Sequence, residues 1–512
     1  MNRIVTLLTL ILCLPALAAK KQYNLLVIQT DEHNYRTLSC YQKLLPQQDY
    51  YFGTDVIKTP NIDWLADNGA ICTSFYATTP VCSPSRAALI SGRYPQNTPV
   101  VTNNIKLSDE VVTFAEILRR AGYSTGYSGK WHLDGNGKPQ WGPKRNFGFE
   151  DNRFMFNRGH WKKFEDTPDG PRVGARDKNG NPSYSVDDAD KETFATDWLA
   201  NKTIDFINTN AKKPFCYMVS FPDPHGPNTV RAPYDTKYGD AKVPTPESTL
   251  NKTRAQTPAW AAMTPRLTAD TVRTLMPKYF GMVECLDDNI GRIIDTLRKQ
   301  EILDRTIIVL TSDHGDLCGE HGRLNKGVPY EGSARIPFLF YVPGQIKGGT
   351  VVNEALSCVD FLPTVFDFMG QKTAGLEQGR NAAALFLGKP QAWNDIAYIR
   401  STGDPGNWIM ATSDRFKLVF AQNGRPWLFD LEEDPDELNN ALDKPEHRAL
   451  IRRFAKGLKE YTKKYDDPVL QQKNIALGVE WAIGNEKTYT GPEAKPAPAE
   501  KKNKKKRNRK KA

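Results

Sequence analysis

An α/β fold is predicted for this chain: a large, mostly parallel β-sheet flanked by helices, with a smaller C-terminal α+β subdomain made of an antiparallel sheet plus a helix. Three observations predict it. Short apolar runs of strand length end at acidic residues, helix-like segments lie between them, and the pattern changes character near residue 385. Asn24-Leu25-Leu26-Val27-Ile28-Gln29 leads to Asp31 and has the unbroken apolar character of a strand buried on both faces. Residues 112–121 and 193–208 carry helix-like spacing. Residues 150–190 are polar and read as a long loop. Thr306-Ile307-Ile308-Val309-Leu310 is a second buried strand, leading to Asp313. Ligands of parallel sheets gather beyond the carboxyl ends of the strands, so Asp31 and Asp313 are expected on one rim. Farther on, 416–420 and 427–431 read as antiparallel strands and the region 444–463 as a helix. The expected division is a large domain over 20–384 and a subdomain over 385–490.

The two ends read differently from the body. Met1-Asn2-Arg3 supplies a positive charge, residues 4–17 are mostly apolar, and Ala16-Leu17-Ala18 matches an A-x-A cleavage pattern. The run is too short to span a bilayer, and polar Lys20-Lys21-Gln22 follows at once. Residues 1–19 are therefore expected to be a cleaved signal peptide, with export to the periplasm or the medium; no other stretch has the length and apolarity of a membrane span. The formal net charge is +10, but residues 501–512 hold nine Lys or Arg and no acid. The basic balance thus belongs to a tail over 491–512, Pro-rich at its start and Lys-rich to its end, which cannot bury a core and is expected to be disordered. Recognition of nucleic acid by the body has no support.

Eight cysteines occur, one of them inside the signal. The other seven are scattered, with no C-x-x-C pair and no metal-finger spacing. An exported chain is expected to form some disulfides, and an odd count leaves at least one thiol unpaired.

Cys82-Ser83-Pro84-Ser85-Arg86 is the most informative stretch. It stands in order with Asp31-Glu32-His33, Gly129-Lys130-Trp131-His132, Ser220-Phe221-Pro222-Asp223-Pro224-His225 and Ser312-Asp313-His314-Gly315-Asp316, with Lys326 behind. On these residues the chain, from about 22 to 465, resembles the formylglycine-dependent type I sulfatases of the alkaline phosphatase superfamily. The resemblance implies that Cys82 is oxidised to formylglycine (3-oxoalanine) by a formylglycine-generating enzyme, and that 20–384 is the catalytic domain. It maps Asp31, Glu32, Asp313 and His314, with the side chain at 82, onto the family's metal ligands. Hard oxygen donors of this kind suit Ca²⁺, or Mg²⁺, better than a soft metal. Glu32 stands where Asp or Gln is common and is one methylene longer than Asp, and His314 offers nitrogen to a hard ion.

Sulfate-ester cleavage builds negative charge on the leaving oxygen, which a divalent cation and Lys, Arg and His donors stabilise. By resemblance, one hydroxyl of the hydrated aldehyde at 82 attacks sulfur, and the second, deprotonated by His132, expels sulfate. Arg86 and Lys130 hold that nucleophile beside the metal, while His225 and Lys326 bind sulfate oxygens. His225 is the first choice of acid for the leaving oxygen. His33 and His321 flank motifs, and His160 lies in the polar stretch that shapes the substrate pocket. The implied substrate is a sulfated carbohydrate. A phosphonate or phosphate ester hydrolase of the same superfamily is the alternative enzyme, and an inactive glycan-binding relative the alternative class.

Overall fold

The computed structural model describes residues 22–45, 52, 57–250, 257–261, 267–485 and 489–492. The signal expected over 1–19 and all but two residues of the tail lie outside the described residues. Eight strands form the central sheet in the order Thr350–Val352, Ala70–Cys72, Phe338–Tyr341, Thr306–Ser312, Asn24–Asp31, Phe215–Pro224, Ser124–Lys130 and Asp151–Phe156. Every neighbouring pair is parallel except the two made by Phe338–Tyr341, which runs antiparallel to both its neighbours.

Strand alternation divides the interior into two cores. Leu25, Val27, Ile307 and Val309 face one side, with the helices Cys82–Ser91, Phe114–Arg120 and Phe361–Met369 over them. Leu26, Ile28, Ile308 and Leu310 face the other, under Pro60–Asn68, Ala195–Asn210 and Ala269–Lys299. Burial on both faces is why these strands are continuously apolar. Each fully buried Leu or Ile contributes about 1.5–3 kcal/mol, so the central strands carry much of the stability. The expected helices are present slightly shifted; Thr113, for example, caps Phe114–Arg120 by accepting from the Glu116 N–H.

Two expectations need correction. The stretch 150–190 is not simply a loop: it holds Asp151–Phe156, on the sheet edge, and the hairpin Phe164–Thr167 with Gly170–Val173. Its polarity reflects exposure at an edge rather than absence of strand. The seven described cysteines are all buried and free, so the expected disulfides are absent among the described residues.

The C-terminal sheet is antiparallel, in the order Ala397–Arg400, Trp408–Thr412, Phe416–Ala421, Gly424–Asp430. Ile409, Leu418 and Leu428 pack with Ile451, Phe454 and Leu458 of the helix Arg448–Lys464, in continuity with the first core. The opposite face, with Met410, Val419 and Phe429, packs on Leu317 and Tyr330. The subdomain therefore braces the segment that follows the strand ending at Ser312. No described helix is long and apolar enough to cross a membrane.

Candidate active site

The rim predicted from two strand ends exists. Register between Asn24–Asp31 and Phe215–Pro224 slips after Gln29, and Glu32 takes a positive φ of 62°. The slip and the turn part the two strand ends where Asp31 and Glu32 stand. Gly129 (φ 99°) is equally constrained, since a Cβ there would lie 1.9 Å from Ser220 O. Glycine lets the two strands close up, and Lys130 emerges at the rim. His132, two residues on, has φ 59°. Such left-handed non-glycine residues cost energy and cluster at working sites.

Cys82 is the first residue of the helix Cys82–Ser91 and is 2% exposed. The Ser83 N–H donates to Asn103 Oδ1 at 2.9 Å, and the helix stops at Gly92 in the left-handed region. Cys82 Sγ lies 3.2 Å from His314 Nε2 and 3.7 Å from Lys130 Nζ. Ligand atoms of Asp31, Cys82, Asp313 and His314 all fall within 4.8 Å of one another. His314 Nδ1 bonds to Gly315 O at 2.9 Å, leaving Nε2 to face the cluster. Asp31 Oδ1 is buried without a hydrogen-bond partner, an arrangement that costs free energy unless a cation answers it. Two carboxylates, one of them with an unpaired oxygen, and an imidazole thus fit a divalent cation.

Arg86 ties this cluster together from behind. Its Nη2 donates to Asp31 Oδ2 and its Nε to Asp313 Oδ2, both at 2.9 Å, while Nη1 reaches Gln29 Oε1, Ser220 Oγ and Lys130 O. Lys130 Nζ donates to Asp31 Oδ2 at 2.5 Å and to His160 Nε2 at 2.8 Å. Burial opposes charge on Asp31, yet Lys130 and Arg86 hold its carboxyl well below the usual range. Burial likewise opposes a Cys82 thiolate, but Lys130, Lys326 and His314 hold the thiol well below its ordinary value. Residue 82 therefore sits where developing negative charge is stabilised.

His132 Nε2 lies 3.2 Å from Asn104 Oδ1, and its Nδ1 is buried without a hydrogen-bond partner. Burial, with Lys130 nearby, lowers its pKa, so the neutral ring is a competent base. Glu32 is not in the four-residue convergence. Its carboxylate meets His225 Nε2 at 2.7 Å and Lys326 Nζ at 3.0 Å, and a His225 nitrogen lies within 4.8 Å of ligand atoms of Asp31 and His160, so Glu32, His225 and Lys326 adjoin the cluster. Behind them, Asp316 Oδ1 accepts from the Cys318 and Asn325 N–H groups and shapes the loop that delivers Lys326. Glu320 pairs with Arg36 at 3.1 Å. Burial pushes Asp316 up to about 6 and Glu320 up to about 7. His33 is fully buried with Nδ1 on Thr30 Oγ1, and burial lowers it to about 3. His321 stacks on Tyr330 with centroids 3.4 Å apart.

Sequence reasoning gives no role to Gln29, Asn103 and Asn104, and names Ser220 only as part of a motif; their types carry no signal until the fold brings them to Arg86, Ser83 and His132. His160 was placed near the pocket but given no partner; its ring stacks on His225 with centroids 3.4 Å apart.

Known proteins resemble this chain in sequence and fold. The sulfatase family model matches residues 24–371, and a model described as N-sulphoglucosamine sulphohydrolase, C-terminal, matches 319–464. An arylsulfatase of Clostridium perfringens is 29% identical over 78% of this chain and 88% of its own. An N-acetylglucosamine-6-O-sulfatase of Bacteroides thetaiotaomicron is 26% identical over 89% of each. A structure solved with its substrate, D-glucosamine-2-N,6-O-disulfate, has TM-score 0.70 and 23% identity, covering 88% of this chain and 99% of that one. The chain belongs to the sulfatase family of the alkaline phosphatase superfamily and is a sulfuric ester hydrolase.

Proposed function

We propose that the protein is an exported sulfatase that removes sulfate from a sulfated glycan, using formylglycine made from Cys82 and a divalent cation, Ca²⁺ in the first instance. The observation that carries this is the convergence of Asp31, Asp313 and His314 on Cys82 Sγ beside an unpaired Asp31 Oδ1. Asp31, Asp313 and His314, with the side chain at 82, would hold the cation. Glu32, whose carboxylate is paired with His225 and Lys326, would join them as a further oxygen donor. The cation supplies Lewis acidity toward a sulfate oxygen. The aldehyde hydrate at 82 supplies a nucleophile with a second hydroxyl through which sulfate leaves.

The chain's own residues do the rest. Arg86 fixes the two metal carboxylates in place, and Lys130 presents positive charge to residue 82. His132 takes a proton from the residue 82 side through the ring nitrogen that faces it. Lys326 and His225 lie beside the cluster and receive sulfate oxygens, with His225 donating a proton to the departing alcohol. The N-terminus of the helix Cys82–Ser91 points its dipole toward the same charge.

A glycan substrate is supported by the names of the relatives, which concern sulfated glucosamine repeatedly, and by the export expected from residues 1–19. The test is direct. The protein is made with a formylglycine-generating enzyme, the Cys82 peptide is weighed, and sulfate release is measured on sulfated glucosamines, sulfated oligosaccharides and matched phosphate esters. Conversion of the thiol to the aldehyde with release of sulfate from the sugars is the expected result. Full activity with an intact thiol would falsify the mechanism, and a preference for phosphodiesters would overturn the substrate class.

A further inference from the structure

His160 belongs to a segment whose polarity suggested only a pocket wall, yet its ring reaches the centre of the site. An ammonium group has three N–H donors and no acceptor. Lys130 is fully buried, so the protein itself must meet them. One donor goes to Asp31 Oδ2 at 2.5 Å and one to His160 Nε2 at 2.8 Å. With two directions taken, tetrahedral geometry leaves the third for Cys82 Sγ, 3.7 Å away. On its face His160 stacks on His225, with the ring planes 7° apart.

We propose that His160 is a positioning residue: by accepting one Lys130 proton at Nε2 it aims the remaining N–H at residue 82, and by stacking it holds the His225 imidazole toward the leaving oxygen. This rests on the function proposed above. An acceptor nitrogen requires a neutral ring, and burial with the neighbouring Lys130 charge keeps His160 well below the ordinary histidine value. The backbone around it is built to hold this pose. Gly159 has φ 116°, and a Cβ there would come within 2.4 Å of the Trp161 ring. Lys162, also fully buried, donates to Asp223 Oδ1 at 2.6 Å and to His225 O at 3.2 Å, and Thr196 Oγ1 donates to Asp223 Oδ2 at 2.6 Å. His160 and His225 are therefore clamped to each other through their main chains as well as their rings.

Two substitutions separate the two contacts. His160→Phe keeps a stacking ring and removes the acceptor, whereas His160→Gln keeps an acceptor oxygen near Nε2 and removes the ring. Both are made with the converting enzyme, the aldehyde content of the Cys82 peptide is matched, and kcat and KM are measured on sulfate esters with leaving alcohols of graded acidity. His160→Phe should lower kcat by about 10–100-fold with KM little changed, as expected when a catalytic group is misaimed. His160→Gln should recover most of that on activated esters and lag on esters of poor leaving groups, where His225 matters. Unchanged kcat in His160→Phe, or equal losses in both variants on every ester, overturns the inference. A parent protein that carries the aldehyde but hydrolyses no sulfate ester sinks the proposed function instead, and the two failures are told apart by that control.

Discussion

Two clusters of buried charge sit on either side of the loop that follows the strand ending at Ser312, and they are built on opposite plans. At the interface with the C-terminal sheet, Lys417 Nζ donates to Pro329 O at 2.8 Å and Glu437 Oε1 at 2.6 Å, and pairs with Glu331 Oε1 at 2.7 Å. Glu331 Oε2 receives Tyr76 and Arg335, each at 3.3 Å, and Glu437 Oε2 accepts from the Glu331 N–H. Each carboxylate here has a cationic partner, although Glu331 Oε1 meets Lys417 only as an ion pair and has no hydrogen bond. At the rim, the same density of charge leaves Asp31 Oδ1 and His132 Nδ1 without hydrogen-bond partners and a thiol among cations. Burial alone is therefore not the mark of function. A closed cluster joins two sheets, whereas an open one keeps valence for a ligand that arrives later.

The contrast is testable from its largest effect downward. Cys82→Ala in the open cluster should abolish sulfate release, with a loss of about 10⁴-fold or more in kcat, as when a covalent nucleophile is removed. Its thermal midpoint should stay close to the parent's, since only the small polar group at residue 82 is lost; a large drop would show that the site is also structural. Lys417→Met in the closed cluster should do the reverse. Removing one partner leaves buried carboxylates unpaired, at about 3–5 kcal/mol of stability, read by denaturant unfolding. Below its melting range that variant should keep its kcat, and a selective loss of activity would break the distinction. Glu32→Gln should be milder still. It keeps an oxygen but removes the charge paired with Lys326 and His225, so calcium titration after chelation should show roughly 10–100-fold weaker binding if Glu32 is a ligand. Unchanged affinity would assign Glu32 to its two pairing partners alone.

Much of the open cluster was legible before the fold was known, because each motif places a chemically scarce group at the end of an element. Asp31 and Asp313 end apolar runs, and parallel strands put their carboxyl ends on one side. What stayed hidden has physical reasons. Gln29, Ser220 and Asn104 act only through contacts between distant segments, and nothing local marks a Gln or Ser as an arginine acceptor. The helix Ala269–Lys299 carries apolar residues at helical spacing from Val272 to Leu297, but Pro277 interrupts the pattern. The closed cluster was invisible for another reason: Lys417 stands beside the unbroken apolar run 418–421, and a charged residue at an inward position reads as an outward one until its acidic partners are placed.

The smallest effect expected from the contrast is in its two pH profiles. Burial lowers His132, so it remains a neutral base on acidification past the ordinary histidine range, and the acid limb of kcat/KM should fall below pH 6.5. In the closed cluster, burial pushes Glu437 up to about 7 against the pull of Lys417, from an ordinary 4.5. The folded state then binds more protons than the unfolded chain between those values, so this group's contribution to stability falls as pH rises from 4.5 to 7. Activity should rise with pH over part of the range in which Glu437 withdraws stability. Thermal midpoints and kcat/KM collected in the same buffers check this. A stability profile that climbs in step with activity, and does so equally in Glu437→Gln, would mean that the site's own carboxylates and not the interface set the pH dependence of the fold.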